Sequence, residues 1–404
     1  MFPQYEHDRE PFYVRVVHKI LLRFKRRKAR LVPIHRGGNR HRSRGHLEAD
    51  LDNNLTDAEF TRMFRLNRQC FNDLLAKITV VMPERNEAKA IASSGSAITN
   101  KIKLAITLRW LAGASYLDLM WGFKVSSSSI FNEDGILWPT LEAINKVEPL
   151  KFPTNVEELE NIAAEFAHSS HGVFEHIVGA IDGLIIKTRK PTIHECSNPT
   201  AYMNRKGTYG VLCLGVSDIN GKFLSFSCNW SGSTHDSFAY GTTSLFKKFE
   251  EDPSFEIPER FHLIGDEAFT NTNRMLVPWS GRGLPVFKDS FNYHLSRCRC
   301  SIERAFGMLV KRFGILWRKL ECDFSRWPLV ATVCAKLHNI CMDSNVPQAP
   351  RLMRDVQRYD VNEVILADGD IDDQGHARGA RRRIITAQFQ ARGIRRPILP
   401  GRNV

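Results

Sequence analysis

The chain has 404 residues, enough for two or three domains, and its 43% hydrophobic and 25% charged shares are those of an ordinary globular protein. No apolar run approaches the roughly 18 residues of a membrane helix. The apolar patch near the N-terminus is broken by Arg15, His18 and Lys19, so no secretory leader is expected; a mitochondrial presequence stays open, with Glu6, Asp8 and Glu10 ahead of the patch against it.

The net charge of +13 is unevenly spread. Residues 23–47 carry ten Lys or Arg and residues 378–404 carry eight Arg, with no acid in either stretch, which leaves −5 for the rest of the chain. Basic ends of this kind suit phosphate contacts or nuclear import, or are simply solvated. The nine cysteines, an odd count without secretory context, read as reduced thiols in a nuclear or cytoplasmic protein. Cys298-x-Cys300 and His194-x-Cys196 lack zinc-finger spacing and read as structural thiols.

In chain order, residues 1–54 read as a basic flexible arm with too few apolar side chains to pack. A helical domain is expected over 55–150. Thr56 with Glu59 three residues on forms a capping-box signature, and Phe60, Met63, Phe64, Phe71, Leu74, Leu75 and Ile78 follow at helical spacing. Ile102, Leu104, Ala105, Leu108 and Leu111 give a second stripe, ended by Gly113. A helix over about 116–123 comes next, then Ser126–Ser129 opening a third. That order is the skeleton of a helix-turn-helix, in which Ser126 and Ser127 are candidates to bond phosphate or base edges. The same pattern also fits a plain helical bundle.

From about Phe174 the pattern turns to strands: 176–186, 209–216 and 222–228, with a hairpin turn at 218–221. A helix over 237–249, a short strand at 261–264 and an amphipathic helix over 296–313 complete the order. Residues 170–345 thus read as an α/β domain, a ribonuclease-H-like mixed sheet flanked by helices and preceded by the helical unit. Residues 346–404 read as a flexible tail, acidic at Asp368–Asp373 and basic beyond.

Four acids carry the chemistry. Asp182 lies inside the first strand, Asp236 opens a helix, Asp266 ends the fourth strand, and Glu303 sits beside the apolar stripe of the amphipathic helix. A lone acid in a hydrophobic run is costly unless paired or metal-bound. Carboxylates gathered at one sheet edge can hold Mg²⁺ or Mn²⁺ for phosphodiester cleavage. Each acid has a plainer reading: a backbone acceptor for Asp182, an N-cap for Asp236, a turn residue for Asp266, and an ion pair with Arg299 for Glu303.

Residues 170–340 resemble the PIF/Harbinger family of DDE transposases and their domesticated nuclease relatives. The stretches that carry the resemblance are Ala-Ile-Asp-Gly at 180–183, Asn-Arg-Lys-Gly at 204–207 and Gly-Ser-Thr-His-Asp-Ser at 232–237, then Gly-Asp-Glu-Ala-Phe at 265–269, Ile-Glu-Arg-Ala-Phe-Gly at 302–307 and Leu-His-Asn at 337–339. The resemblance implies a divalent-metal site of Asp182, Asp236, Asp266 and Glu303, with Asp236 and Asp266 both open as the second member of the triad. It implies a nuclease acting on double-stranded DNA in the nucleus, with a Myb-like DNA-binding partner protein. Cutting paired sites favours a homodimer. Arg205, Lys206, Arg304 and Lys311 are candidate phosphate contacts, with surface ion pairs as the alternative. Two rival readings remain: a domesticated DNA-binding or chromatin adaptor with an idle nuclease fold, and a metal-dependent phosphatase.

Overall fold

The computed structural model describes residues 46–83, 97–251, 257–347 and 380–397. Most of the expected arm (1–45), and the tail at 348–379 and 398–404, lie outside the described residues. The arm reading is corrected at its end: helix α1 (Leu47–Asn53) already belongs to the folded unit and buries Leu51.

The helical unit follows its local signals. Helix α2 (Asp57–Phe64) starts at Thr56, whose hydroxyl accepts the Glu59 N–H while the Glu59 carboxylate accepts the Thr56 N–H. The apolar periodicity runs on past residue 64, but Arg65 turns left-handed (φ 65°) and a second helix, α3 (Arg68–Val81), begins under the cap of Asn67. Phe60, Phe64 and Phe71 interlock across that break, with ring centroids 4.8–6.0 Å apart.

Helices α4 (Asn100–Leu111), α5 (Tyr116–Phe123) and α6 (Ser127–Phe131) appear in the expected order. Gly113, at φ +105°, makes the turn between the first two. The helix expected to open at Ser126 is short: α6 has only five residues, and Asn132 leaves it in an extended conformation. Five residues are under two turns, too few to lie along a major groove. Helix α7 (Leu137–Val147) packs back on α3 and α4. Helix α8 (Val156–Ser169), not foreseen from the sequence, then lies against the first strand.

The sheet has five strands: β1 (Ile177–Lys187), β2 (Gly210–Ser217), β3 (Phe223–Ser231), β4 (His262–Ile264) and β5 (Met275–Leu276). Their order is β3-β2-β1-β4-β5. The first three are antiparallel neighbours, and β4 and β5 run parallel to β1. The β2–β3 turn forms because Asp218 Oδ1 accepts the N–H groups of Asn220, Gly221 and Lys222 at 2.8–2.9 Å. Helix α9 (Asp236–Gly241) follows β3, and α10 (Val286–Arg312) starts after Pro285, ten residues earlier than its apolar stripe suggested. This is the expected ribonuclease-H-like mixed sheet with flanking helices.

Helix α11 (Trp327–Asp343) packs on both β3 and α7. It makes the helical unit and the sheet share one buried cluster, running from Leu51 to Phe389. The Leu-His-Asn stretch serves this docking. Asn339 accepts the Phe223 N–H at 2.9 Å and donates to the Phe223 carbonyl at 2.7 Å, completing an edge strand, and buried His338 meets the Gly221 carbonyl.

The flexible-tail reading is corrected over residues 380–397. Helix α12 (Ala380–Ala391) lies against α10 and buries Phe389 between Phe174, Phe291 and His294. Its arginines bond the protein: Arg381 reaches the Glu259 and Arg260 carbonyls, Arg382 the Pro278 carbonyl, and Arg392 the Gly172 carbonyl. Among the described residues no helix is long and apolar enough to cross a membrane.

Candidate active site

Parallel pairing of β1 with β4 sets the centre of the site. Ala180 pairs with Ile264, so Asp182 and Asp266, each two residues further on, leave neighbouring strands side by side. Asp182 lies opposite Gly215 of β2 and its Oδ1 accepts the Gly183 N–H at 2.8 Å. Asp266 Oδ1 accepts the Ala268 N–H at 2.9 Å. Asp236 is the first residue of α9, while His235 holds the cap position without a side-chain cap bond; the N-cap reading of Asp236 is therefore corrected.

Gly183 explains how Asp236 reaches the strand. A Cβ on Gly183 would stand 2.6 and 2.7 Å from the two Asp236 carboxylate oxygens, so the acid occupies the space that a side chain would fill. Asp182, Asp236 and Asp266 sense one another electrostatically. Burial first, and then the neighbouring Asp266, raise Asp182 to about 7; Arg299, the Gly183 N–H bond and Asp236 also act on it, the first two lowering it. Burial and Asp266 raise Asp236 to about 6, against the pull of Arg205.

Glu303 stands on α10, which packs across β1 and β2. Arg299, one turn earlier, pairs with Glu303 at 2.9 Å and reaches Asp182 at 3.7 Å. The predicted Arg299–Glu303 pair is thus present, and the reach of Arg299 to Asp182 has no local signal that could have foretold it. Among the described residues no three His, Cys, Asp or Glu side chains close into a complete metal-binding group. The donor set nevertheless fits a hard divalent cation. It is made of carboxylate oxygens, and burial and mutual repulsion disfavour the charges of Asp182 and Asp236 unless a cation offsets them.

The basic candidates divide. Arg205 sits on a turn built by Asn204, whose Oδ1 accepts the Lys206 and Thr208 N–H groups, and its guanidinium meets His235 beside Asp236. Lys206 is exposed on the same turn. Arg304 is spent in part on the Ile219 carbonyl, and Lys311 lies in the last turn of α10. Ser126 is the N-cap of α6, accepting the Ser129 N–H at 3.1 Å, and Ser127 opens that helix; the structure does not bring either to the acids. Cys298 is buried, which pushes its thiol up to about 12, while Cys300 is exposed, so the Cys-x-Cys pair faces two ways.

Residues 181–339 match the family described as "DDE superfamily endonuclease". "Protein ALP1-like" of Arabidopsis thaliana is 23% identical over 300 residues, 70% of this chain and 70% of that protein. "Putative nuclease HARBI1" of Mus musculus is 26% identical over 201 residues, and that of Homo sapiens 25% over 199, in each case 48% of this chain and 53% of the relative. The match thus spans about half the length of the mammalian relatives. No solved structure matches the chain. The resemblance to Harbinger-type DDE transposases and their domesticated derivatives holds, and all four acids lie within the matched residues.

Proposed function

We propose, from the premise of a DDE endonuclease domain of the Harbinger type, that this chain is a divalent-metal-dependent nuclease that cuts double-stranded DNA in the nucleus. The observation that carries this reading is the convergence of Asp182, Asp236 and Asp266 from β1, α9 and β4, with Glu303 tied to Asp182 through Arg299. Asp182, Asp236, Asp266 and Glu303 would hold Mg²⁺ or Mn²⁺. Bound there, two such cations would lower the pKa of an attacking water or polarise a 3′-hydroxyl, and neutralise the leaving oxyanion. The chain's own residues set the geometry: the β1–β4 register fixes two acids, Gly183 admits the third, and α10 carries the fourth. Arg205, beside Asp236 on an exposed turn, would meet a DNA phosphate in this reading. A Myb-like partner protein and a homodimer belong to the same proposal, as suppliers of target recognition and of a second active site.

Incubating the protein with supercoiled plasmid and Mg²⁺ or Mn²⁺ tests the reading. Nicking that chelator abolishes, and that Asp182→Ala and Glu303→Ala lose by at least about a hundredfold, is the expected result. A second reading, a DNA-binding adaptor with an idle site, is favoured by the plain roles that two acids already fill, Glu303 pairing with Arg299 and Asp266 closing its own turn. Folded protein that retains duplex DNA without nicking it, alone or with its partner, would establish that reading instead.

A further inference from the structure

Arg299 is the residue of this site whose chemistry the cleavage reading does not use. Its side chain is 14% exposed, so its charge is largely withdrawn from water and depends on nearby anions. Those anions are two of the four acids: Glu303 Oε1 at 2.9 Å from Nη2, and Asp182 Oδ2 at 3.7 Å from Nη1. A guanidinium presents its donors as a rigid planar fork, so one arginine can serve a carboxylate on its own helix and another on the strand below. The i, i+4 spacing fixes the first contact, and the packing of α10 on β1 supplies the second.

We propose that Arg299 is a built-in counter-ion of the acidic cluster, which clamps α10 to β1 and competes with divalent cations for the oxygens of Asp182 and Glu303. The inference rests on the metal-site reading above and adds a property to it. A cation that takes up those oxygens must displace the guanidinium and work against its positive charge. Arg299 therefore stabilises the fold when cations are scarce and weakens their binding, so a higher cation concentration is needed to fill the site. Arg299 is a positioning residue here, acting through the two acids. Arg205 acts on Asp236 and not on Asp182 or Glu303, and its guanidinium is engaged with the His235 ring on a different turn.

Opposite effects on stability and on cation affinity separate this role from a merely structural one. Mn²⁺ binding is measured by calorimetry on the full chain, together with thermal unfolding in chelator, for the wild type, Arg299→Gln and Arg299→Lys. Arg299→Gln is expected to unfold earlier in chelator, yet to bind Mn²⁺ about tenfold more tightly, since a unit charge next to the ion has been removed. Arg299→Lys, which keeps the charge but cannot fork to both acids, is expected to fall between the two, and it decides the question if the glutamine variant does not fold. Equal or weaker Mn²⁺ binding by a folded variant overturns the counter-ion role and leaves the metal site standing. Absence of Mn²⁺ binding by the wild type overturns the metal-site reading and this inference with it.

Discussion

Asp182 and Gly183 show how much of the site depends on single side chains. Asp182 is an acid whose folded-state pKa is raised to about 7, chiefly by burial, from an ordinary value of 3.8. Such a group holds its proton more tightly in the folded than in the unfolded chain. In chelator, its contribution to stability is therefore present at pH 4 and is lost as the pH rises through 7. Each pKa unit corresponds to about 1.4 kcal/mol, so the loss is large enough to measure. Asp236, raised to about 6, acts in the same direction. Asp182→Asn should flatten the fall in melting temperature between pH 5 and pH 8 and be more stable than the wild type at pH 8; an unchanged slope would sink the assignment. Gly183→Ala makes a complementary prediction. The added methyl meets the end of the Asp236 side chain, which can swing away, so the melting temperature should move little while Mn²⁺ affinity and nicking fall about tenfold or more. Asp182 was legible as a candidate because an ionisable residue inside an apolar strand needs a reason. The fit of Asp236 over Gly183 was not, because nothing local links residues 53 positions apart.

Elements were legible where a local signal marks them. The Thr56–Glu59 box, the Asp218 turn and the alternation from strand to strand are short-range patterns, and the structure follows them. Elements defined by contact with something distant were missed. Helix α12 has three arginines in its first turns and an unremarkable apolar content; it is held by long-range contacts, with Phe389 in an aromatic pocket and Trp279 flanked by Lys288 and Arg382, each 4.0 Å from the ring centroid. Phe389→Ala should cost about 3–5 kcal/mol by denaturant unfolding, the usual range for a fully buried phenylalanine. A change below about 1 kcal/mol would mean that α12 is not part of the folded unit. Asn339→Leu removes two hydrogen bonds to the edge strand and should cost about 1–3 kcal/mol, measured in the same way.

At the scale of the molecule, the separation into a 55–150 domain and a 170–345 domain does not survive as two independent cores. Phe64 and Phe71, Leu141 and Ile144, and Trp327 and Leu337 belong to one buried cluster with Phe389. A fragment of residues 170–345 alone should lack a cooperative thermal transition, because it would expose the faces of α11 and α10 that α7 and α12 cover. A sharp transition in that fragment would restore the two-domain view. Charge distribution leads to a further expectation. Arg381, Arg382 and Arg392 bond backbone carbonyls of the fold, so alanine at these three should change the salt dependence of DNA binding less than removal of the ten basic residues of 23–47. Each lost phosphate contact lowers the slope of log Kobs against log salt by about 0.9, so fluorescence anisotropy at several salt concentrations distinguishes the two regions.

Local signals in the sequence set the run from β1 to β4, the Asp218 turn and the Thr56 cap, and singled out four acids as candidates, because each rests on a few adjacent residues or on a repeating pattern. Tertiary structure alone decided that β4 runs beside β1 and so aligns Asp182 with Asp266, that Gly183 makes room for Asp236, and that Arg299 spans two acids. It also decided that the C-terminal arginines serve the fold. These are long-range facts: charge and hydrophobicity along the chain give the kinds of contact a residue can make, and only the packing of the sheet and helices chooses its partners.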